Sequence, residues 1–179
     1  MALHKMKVYK LGIGLITHDP ILILLEEDGT RSLPINIGVF EASSIAFVLE
    51  KTELARPITH DIVKDIIDNL QAEVKQVNID KIVGDTFYAT LVLEHDGKEI
   101  NIDTRPSDGI AIALRTASPI YANEELLHNE GVQIADLGLD PNDRTEESSE
   151  ETKETENYDA KDIEDYIQNL DPNDFDSEG

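Results

Sequence analysis

Two Asp-Gly pairs constrain this chain more than any other feature, because each sits between two strand-like stretches as a hairpin-turn signal. Asp28-Gly29 separates Ile21–Leu25 from Arg31–Ile37, and Asp96-Gly97 separates Thr86–Glu94 from Lys98–Asp103. Such pairs supply the positive φ angles that tight turns between antiparallel strands require. Gly84-Asp85 marks a further turn, after a strand over Val74–Ile82. Lys7–Leu15 reads as the first strand, and His18-Asp19-Pro20 as the turn after it. Ile21–Leu25 is apolar on both faces, which places it centrally. Pro34 lies inside the third strand and cannot donate to a ladder, which puts that strand at an edge or a bulge. Phe87, Ala89, Leu91 and Leu93 alternate on one face of the clearest strand. Ile100 and Ile102 alternate with polar neighbours, as on a half-buried strand.

Three stretches carry helical spacing instead. Val39, Ala42, Ile45, Ala46, Val48 and Leu49 follow Gly38, in a helix to about Lys51. Ile62, Val63, Ile66, Ile67 and Leu70 follow Thr59, a good N-cap. Ile110, Ala111, Ala113, Leu114 and Ala117 follow Pro106, which suits a first helical turn. Pro119-Ile120-Tyr121 is a short extended piece, and Asn123 caps a last short helix. The order is βββααβββα plus that short helix. Hairpins dominate, so the fold class is α+β with a mainly antiparallel sheet. With 5% aromatic residues and no Trp, the core is packed aliphatics.

Charge gathers where strands run into helices. Asp103-Thr104-Arg105-Pro106-Ser107-Asp108 is one such joint and Arg56-Pro57-Ile58-Thr59-His60-Asp61 another. Asp108, Asp61 and Glu41 each fall in a first helical turn, where the dipole favours a carboxylate. Each therefore reads as a capping charge or as a carboxylate at the mouth of a site. His60 is expected to be exposed at a helix start. The positive dipole end there favours the neutral ring, able to act as base or ligand. Arg105, held extended before Pro106, sits between Asp103 and Asp108.

The net charge is −23 and unevenly spread. Residues 1–135 hold 12 Lys/Arg and 21 Asp/Glu, and residues 136–179 hold 3 and 17. Phosphate binding is driven by Lys and Arg, so any nucleic-acid function must rest on a local basic site or bound metal. Without cysteine there is no disulfide framework and no thiolate chemistry. No apolar signal core or spanning run is present, and the expected location is cytoplasmic, with no membrane partner. Residues 1–135 are expected to form one domain, followed by an acidic tail over 136–179. Thr145–Thr155 has the composition of a disordered linker. Ile163, Tyr166, Ile167 and Leu170 within 159–170 share a helical face, which reads either as a docking peptide for a protein partner or as part of a solubilising tail with marginal helicity. Leu-Asp-Pro-Asn-Asp occurs at both 139–143 and 170–174.

Four segments together resemble the bifunctional nuclease domain family: Leu33-Pro34-Ile35-Asn36-Ile37-Gly38 with Glu41, Arg56-Pro57-Ile58-Thr59-His60-Asp61, Thr86-Phe87-Tyr88-Ala89, and Asp103 to Asp108. Pro119-Ile120-Tyr121 follows them. The match spans about residues 6–128. Gly109 stands where the family usually has alanine, and Asn36 where a large apolar residue is common. The resemblance implies a compact α+β domain that forms homo-oligomers, at least dimers, and hydrolyses DNA and RNA. Under that expectation Glu41, Asp103 and Asp108 are hard oxygen ligands for Mg²⁺ or Mn²⁺. His60 acts as base or ligand beside Asp61, and Arg56 and Arg105 hold the scissile phosphate. All seven residues are expected to line one cleft. The alternative is a non-enzymatic oligomeric module whose polar clusters fix its structure and whose tail recruits a partner.

Overall fold

The computed structural model describes residues 2–14 and 19–137, together with the backbone of 155–157. A first meander comprises β1 (Leu3–Gly14), β2 (Pro20–Glu26) and β3 (Arg31–Asn36), and leads into α1 (Val39–Leu49) and α2 (Thr59–Asn69). A second comprises β4 (Glu73–Val83), β5 (Thr86–His95) and β6 (Lys98–Thr104), and leads into α3 (Pro106–Thr116). β7 (Ile120–Asn123), α4 (Glu124–Glu130), β8 (Val132–Gln133), a 3-10 turn over Ile134–Leu137 and β9 (Thr155–Asn157) complete the described chain. The class is α+β, and no described helix is long and apolar enough to cross a membrane.

One sheet joins both meanders in the order β6-β5-β4-β7-β1-β2-β3-β8. β7 is the stitch: it runs antiparallel to β1 and parallel to β4. All other pairings are antiparallel. Both residues of the Asp96-Gly97 turn have positive φ, 50° and 70°, as the hairpin signal requires. β8 lies outside β3, so contrary to expectation β3 is not the sheet's last strand, but β8 pairs only with Arg31 and Ser32 and the outer ladder ends before Pro34. β9 pairs with β1 at Gly12–Gly14, which places a piece of the acidic segment on the sheet. The linker over 145–154, the amphipathic stretch 159–170, both Leu-Asp-Pro-Asn-Asp copies and His18 lie outside the described residues.

The helices lie side by side on one face, α3 in the middle against β4 and β5, flanked by α1 and α2. Leu22, Leu24, Leu33 and Ile35 from the first meander meet Val77, Ile79, Ala89 and Leu91 from the second beneath Ile45 and Ile110. Each buried aliphatic of this size contributes roughly 1.5–3 kcal/mol relative to exposure. On the reverse face Ile23 and Leu25 pack with Ile134, so β2 is covered on both sides, as its unbroken apolar run predicts. Gly109 allows the close approach of α3 to the sheet. A Cβ there would lie 2.9 Å from Val77 Cγ1 and 3.2 Å from Thr104 Cγ2. β6 departs from expectation. Ile100 and Ile102 are exposed, because β6 is the sheet's outer strand and α3 packs mainly on β4 and β5, meeting β6 only at its end, Thr104.

Candidate functional site: a charged network where three helices meet

Two strand-to-helix joints supply the site. Gly38 leaves β3 extended, and α1 starts at Val39 with Glu41 third. A side chain at position 38 would collide with the Glu41 carboxylate, so the glycine leaves room for that carboxylate to fold back. Arg105 leaves β6 extended, and α3 starts at Pro106 with Asp108 third. The two acids thus occupy matching places at adjacent helix starts, and Arg105 spans them. Its Nη2 donates to Glu41 Oε1 at 2.6 Å, while Nε and Nη2 donate to Asp108 at 2.7 and 3.0 Å. The Arg105 side chain is 65% exposed, yet its two partners are largely covered.

Asp108 also pairs with His60, whose Nε2 lies 3.1 Å from Oδ1. The His60 side chain is only 12% exposed; α1 and α3 close over a ring expected to stand free. Burial pushes the Asp108 carboxyl upward, but Arg105 and His60 outweigh it and hold the group below the ordinary aspartate value. Asp108 is therefore ionised at neutral pH and accepts only, so His60 Nε2 carries a hydrogen. The other nitrogen, Nδ1, lies 2.8 Å from Ser44 Oγ, on a serine that is 3% exposed. A hydroxyl donates to a neutral imidazole and accepts from a charged one. Ser44 therefore keeps its bond to His60 in both charge states.

Asp61 faces a different partner. Arg115 Nε donates to it at 2.6 Å, while the Arg115 Nη atoms donate to the carbonyls of Ala111 and Ser44. The other Asp61 oxygen accepts from the Ile58 backbone N–H at 2.9 Å. Burial raises the Asp61 carboxyl and these donors lower it further, leaving it below its usual range. Asp61, not Thr59, thus serves the first turn of α2, and Ile58 stands at the cap position. Asp108 makes no cap bond either; its oxygens are committed to Arg105 and His60.

Glu41, His60, Arg105 and Asp108 are brought together as expected. Asp61 joins them only indirectly, through Arg115 and Ser44. Arg56 lines a neighbouring hollow with Asp61 and Arg115. Asp103 is not part of the group. It pairs with Thr90 in the ladder and lines a hollow of about 730 Å³ with Asp80, Tyr88 and Glu125. Its neighbour Thr104 packs toward Gly109 of α3, and successive strand residues point to opposite faces. Seven residues on one cleft is therefore not what forms.

The Mg²⁺ or Mn²⁺ ligand set fares the same way. Asp103 faces away, and the Arg105 guanidinium occupies the space between Glu41 and Asp108. Among the described residues no group of three or more His, Asp or Glu side chains is arranged to hold a metal ion. As arranged, these side chains do not fit such an ion.

Ser44 and Arg115 were missed from the sequence, although their spacing was available. Ser44 is one turn beyond Glu41, and Arg115 is two turns beyond Asp108. A second network was also missed. Glu26, only 4% exposed, accepts two bonds from Arg31 and pairs with His4 at 2.6 Å. Arg31 and His4 both reach Glu124 in turn. Bonding to Arg31 holds Glu26 below its usual range despite burial. No local signal marks this network, which ties β1, the β2–β3 hairpin and α4 together.

An α+β domain whose helix starts converge on an acid–arginine–histidine network is a class defined by geometry alone. The chain belongs to the bifunctional nuclease domain family, whose model, described as "Bifunctional nuclease domain", matches residues 22–135. An uncharacterized protein of Mycobacterium tuberculosis is 36% identical over 158 residues, 88% of this chain and 89% of that relative. Bifunctional nuclease 1 of Arabidopsis thaliana is 34% identical over 124 residues, 66% of this chain and 38% of its own. Bifunctional nuclease 2 of Oryza sativa subsp. japonica is 34% identical over 119 residues, 64% of this chain and 36% of its own. The match thus covers little more than a third of each plant protein.

Proposed function

We propose that this chain is a nuclease that hydrolyses phosphodiester bonds of DNA and RNA at the Glu41–Arg105–Asp108–His60 network. One observation carries the reading: the Arg105 guanidinium stands exposed at the mouth while its carboxylate partners are covered. A phosphate arriving from solvent meets the open Nη1 edge of the guanidinium first, and bidentate binding follows as it displaces the carboxylates. Its arrival draws Arg105 away from Glu41 and Asp108 and leaves both carboxylates beside the bound phosphate. A carboxylate then takes a proton from the attacking water. The phosphorus–oxygen bond to the leaving group breaks as the imidazolium form of His60, freed from Asp108, gives its Nε2 proton to that oxygen and is left neutral, and the protonated carboxylic acid then loses its proton to solvent. Positioned proton transfer of this kind contributes roughly 10²–10⁴-fold. Family membership supports the same reading.

A requirement for Mg²⁺ or Mn²⁺ is proposed separately, as a point for assay. Supercoiled plasmid and single-stranded RNA, each incubated with Mg²⁺, with Mn²⁺ or with chelator, test both points together. Cleavage of both substrates is expected, and its dependence on each ion reads the metal directly. A non-enzymatic oligomeric module is the second reading. It is favoured by the fact that both His60 nitrogens and the Nε and Nη2 of Arg105 are bonded within the protein. Absence of cleavage under all three conditions selects it.

A further inference from the structure

We infer that the hollow between the end of α1 and the start of α2 binds one nucleotide unit of a single-stranded nucleic acid, with Lys51 and Arg56 on the phosphate and Phe47 beneath the base. The inference rests on the nuclease reading and adds to it a substrate-binding subsite beside the charged network.

The hollow has a volume of about 490 Å³, within the range of sites that hold small ligands. Its wall is apolar on one side, with Phe47, Leu54 and Pro57, and cationic on the other, with Lys51 and Arg56. Neither side chain meets a hydrogen-bond or ion-pair partner among the described residues; Lys7, Lys10 and Lys98 are likewise unpaired but line no such hollow, whereas Arg31, Arg105, Arg115, Lys5, Lys64 and Lys75 are all paired. In a chain of net charge −23, two exposed and unpaired cations sharing one hollow form the local basic site that phosphate binding requires. The acid in the wall, Asp61, does not cancel them. Its charge is matched by Arg115, and its oxygens accept from Arg115 and the Ile58 N–H.

Shape points to a nucleotide rather than a free anion. Phe47 is only partly buried, so its ring offers a stacking surface, and aromatic stacking is indifferent to base identity. Position also fits. Asp61 and Arg115 form the back of the hollow, and Arg115 reaches the carbonyl of Ser44, the residue that holds His60. A strand seated here passes beside the network at the three helix starts.

The test is fluorescence anisotropy of a labelled eight-nucleotide oligothymidylate, titrated with the full chain in chelator so that binding is read without cleavage. The double variant Lys51→Gly/Arg56→Ala is compared with wild type and with Lys7→Ala/Lys98→Ala, which removes the same charge elsewhere. Lys51 has a φ of 54°, a conformation glycine adopts freely, so its replacement leaves the helix end unstrained. Affinity is expected to fall at least tenfold more in the hollow variant than in the control. The slope of log affinity against log salt should become shallower by about 1.4, at about 0.7 per lost phosphate contact. Phe47→Leu keeps the packing and should lose about fivefold or more without changing the slope. Equal affinity of the two double variants, or no binding by wild type, overturns the inference. Binding through the hollow without cleavage when metal is restored leaves the inference standing and removes the nuclease reading. Cleavage with control-like binding does the reverse.

Discussion

Ser44 decides what His60 can do. Its hydroxyl is the only described partner of Nδ1, and it sits where water has little access. Ser44→Ala leaves a ring nitrogen covered and unbonded, which costs about 1–3 kcal/mol. A urea melt should show that loss, and a change of a few tenths would mean that the ring is held by packing alone. The carboxylates set the pH response. Asp108, Asp61 and Glu26 are all held below their usual values in the folded state. A depressed carboxyl stabilises the fold above its unfolded value, about 3.9 for Asp and 4.3 for Glu. That contribution is lost as pH falls through the lower folded value. The melting temperature should therefore hold from neutrality to about pH 5 and fall below about pH 4, less steeply in Asp108→Asn than in wild type. An equal slope in that variant would detach Asp108 from the acid limb. Residue-level reading of the sequence found Glu41, His60, Arg105 and Asp108 because each sits at a charged helix start. It failed for Asp103, although alternation with Ile102 and Thr104 already assigns that side chain to the other face.

At the scale of elements, α3 is held down by the absence of one methyl group. Gly109→Ala improves helix propensity by about 1 kcal/mol, but its Cβ meets Val77, which is fully buried and cannot turn away. Overpacking of this kind costs about 1–3 kcal/mol, so the net expectation is a loss of about 1 kcal/mol. Combined with Val77→Ala, the loss should be smaller than the sum of the two single changes. Strictly additive losses would show that the methyl group finds space. The hairpins were legible because their signals are local: Asp28-Gly29, Gly84-Asp85 and Asp96-Gly97 each fix a turn without reference to the rest. β7 was seen only as a short extended piece. Its place between β1 and β4 depends on pairings more than forty residues away, and four residues carry no mark of them. The exposure of β6 was hidden for a related reason, since Ile100 and Ile102 alternate correctly but no helix extends over them.

At the scale of the whole molecule, α2 presents an uncovered apolar stripe. Ile62, Ile66 and Leu70 lie four residues apart and are 48%, 53% and 63% exposed, on one side of the helix. Single exposed aliphatics are ordinary, but a contiguous row marks an interaction surface. We therefore propose assembly through α2 into at least a dimer. Light scattering at micromolar concentration should give a mass of at least twice the 19.9 kDa of the chain. Ile66→Glu/Leu70→Glu should return it to the monomer mass, and a monomeric wild type would reject the proposal. The central claim, that the network at the three helix starts performs the chemistry, is tested most directly by single-turnover cleavage of a labelled RNA. Wild type is to be compared with Arg105→Ala and His60→Gln, each shown by its melting curve to be folded. The account predicts at least a hundredfold fall in rate for both variants; cleavage at the wild-type rate by either would contradict it.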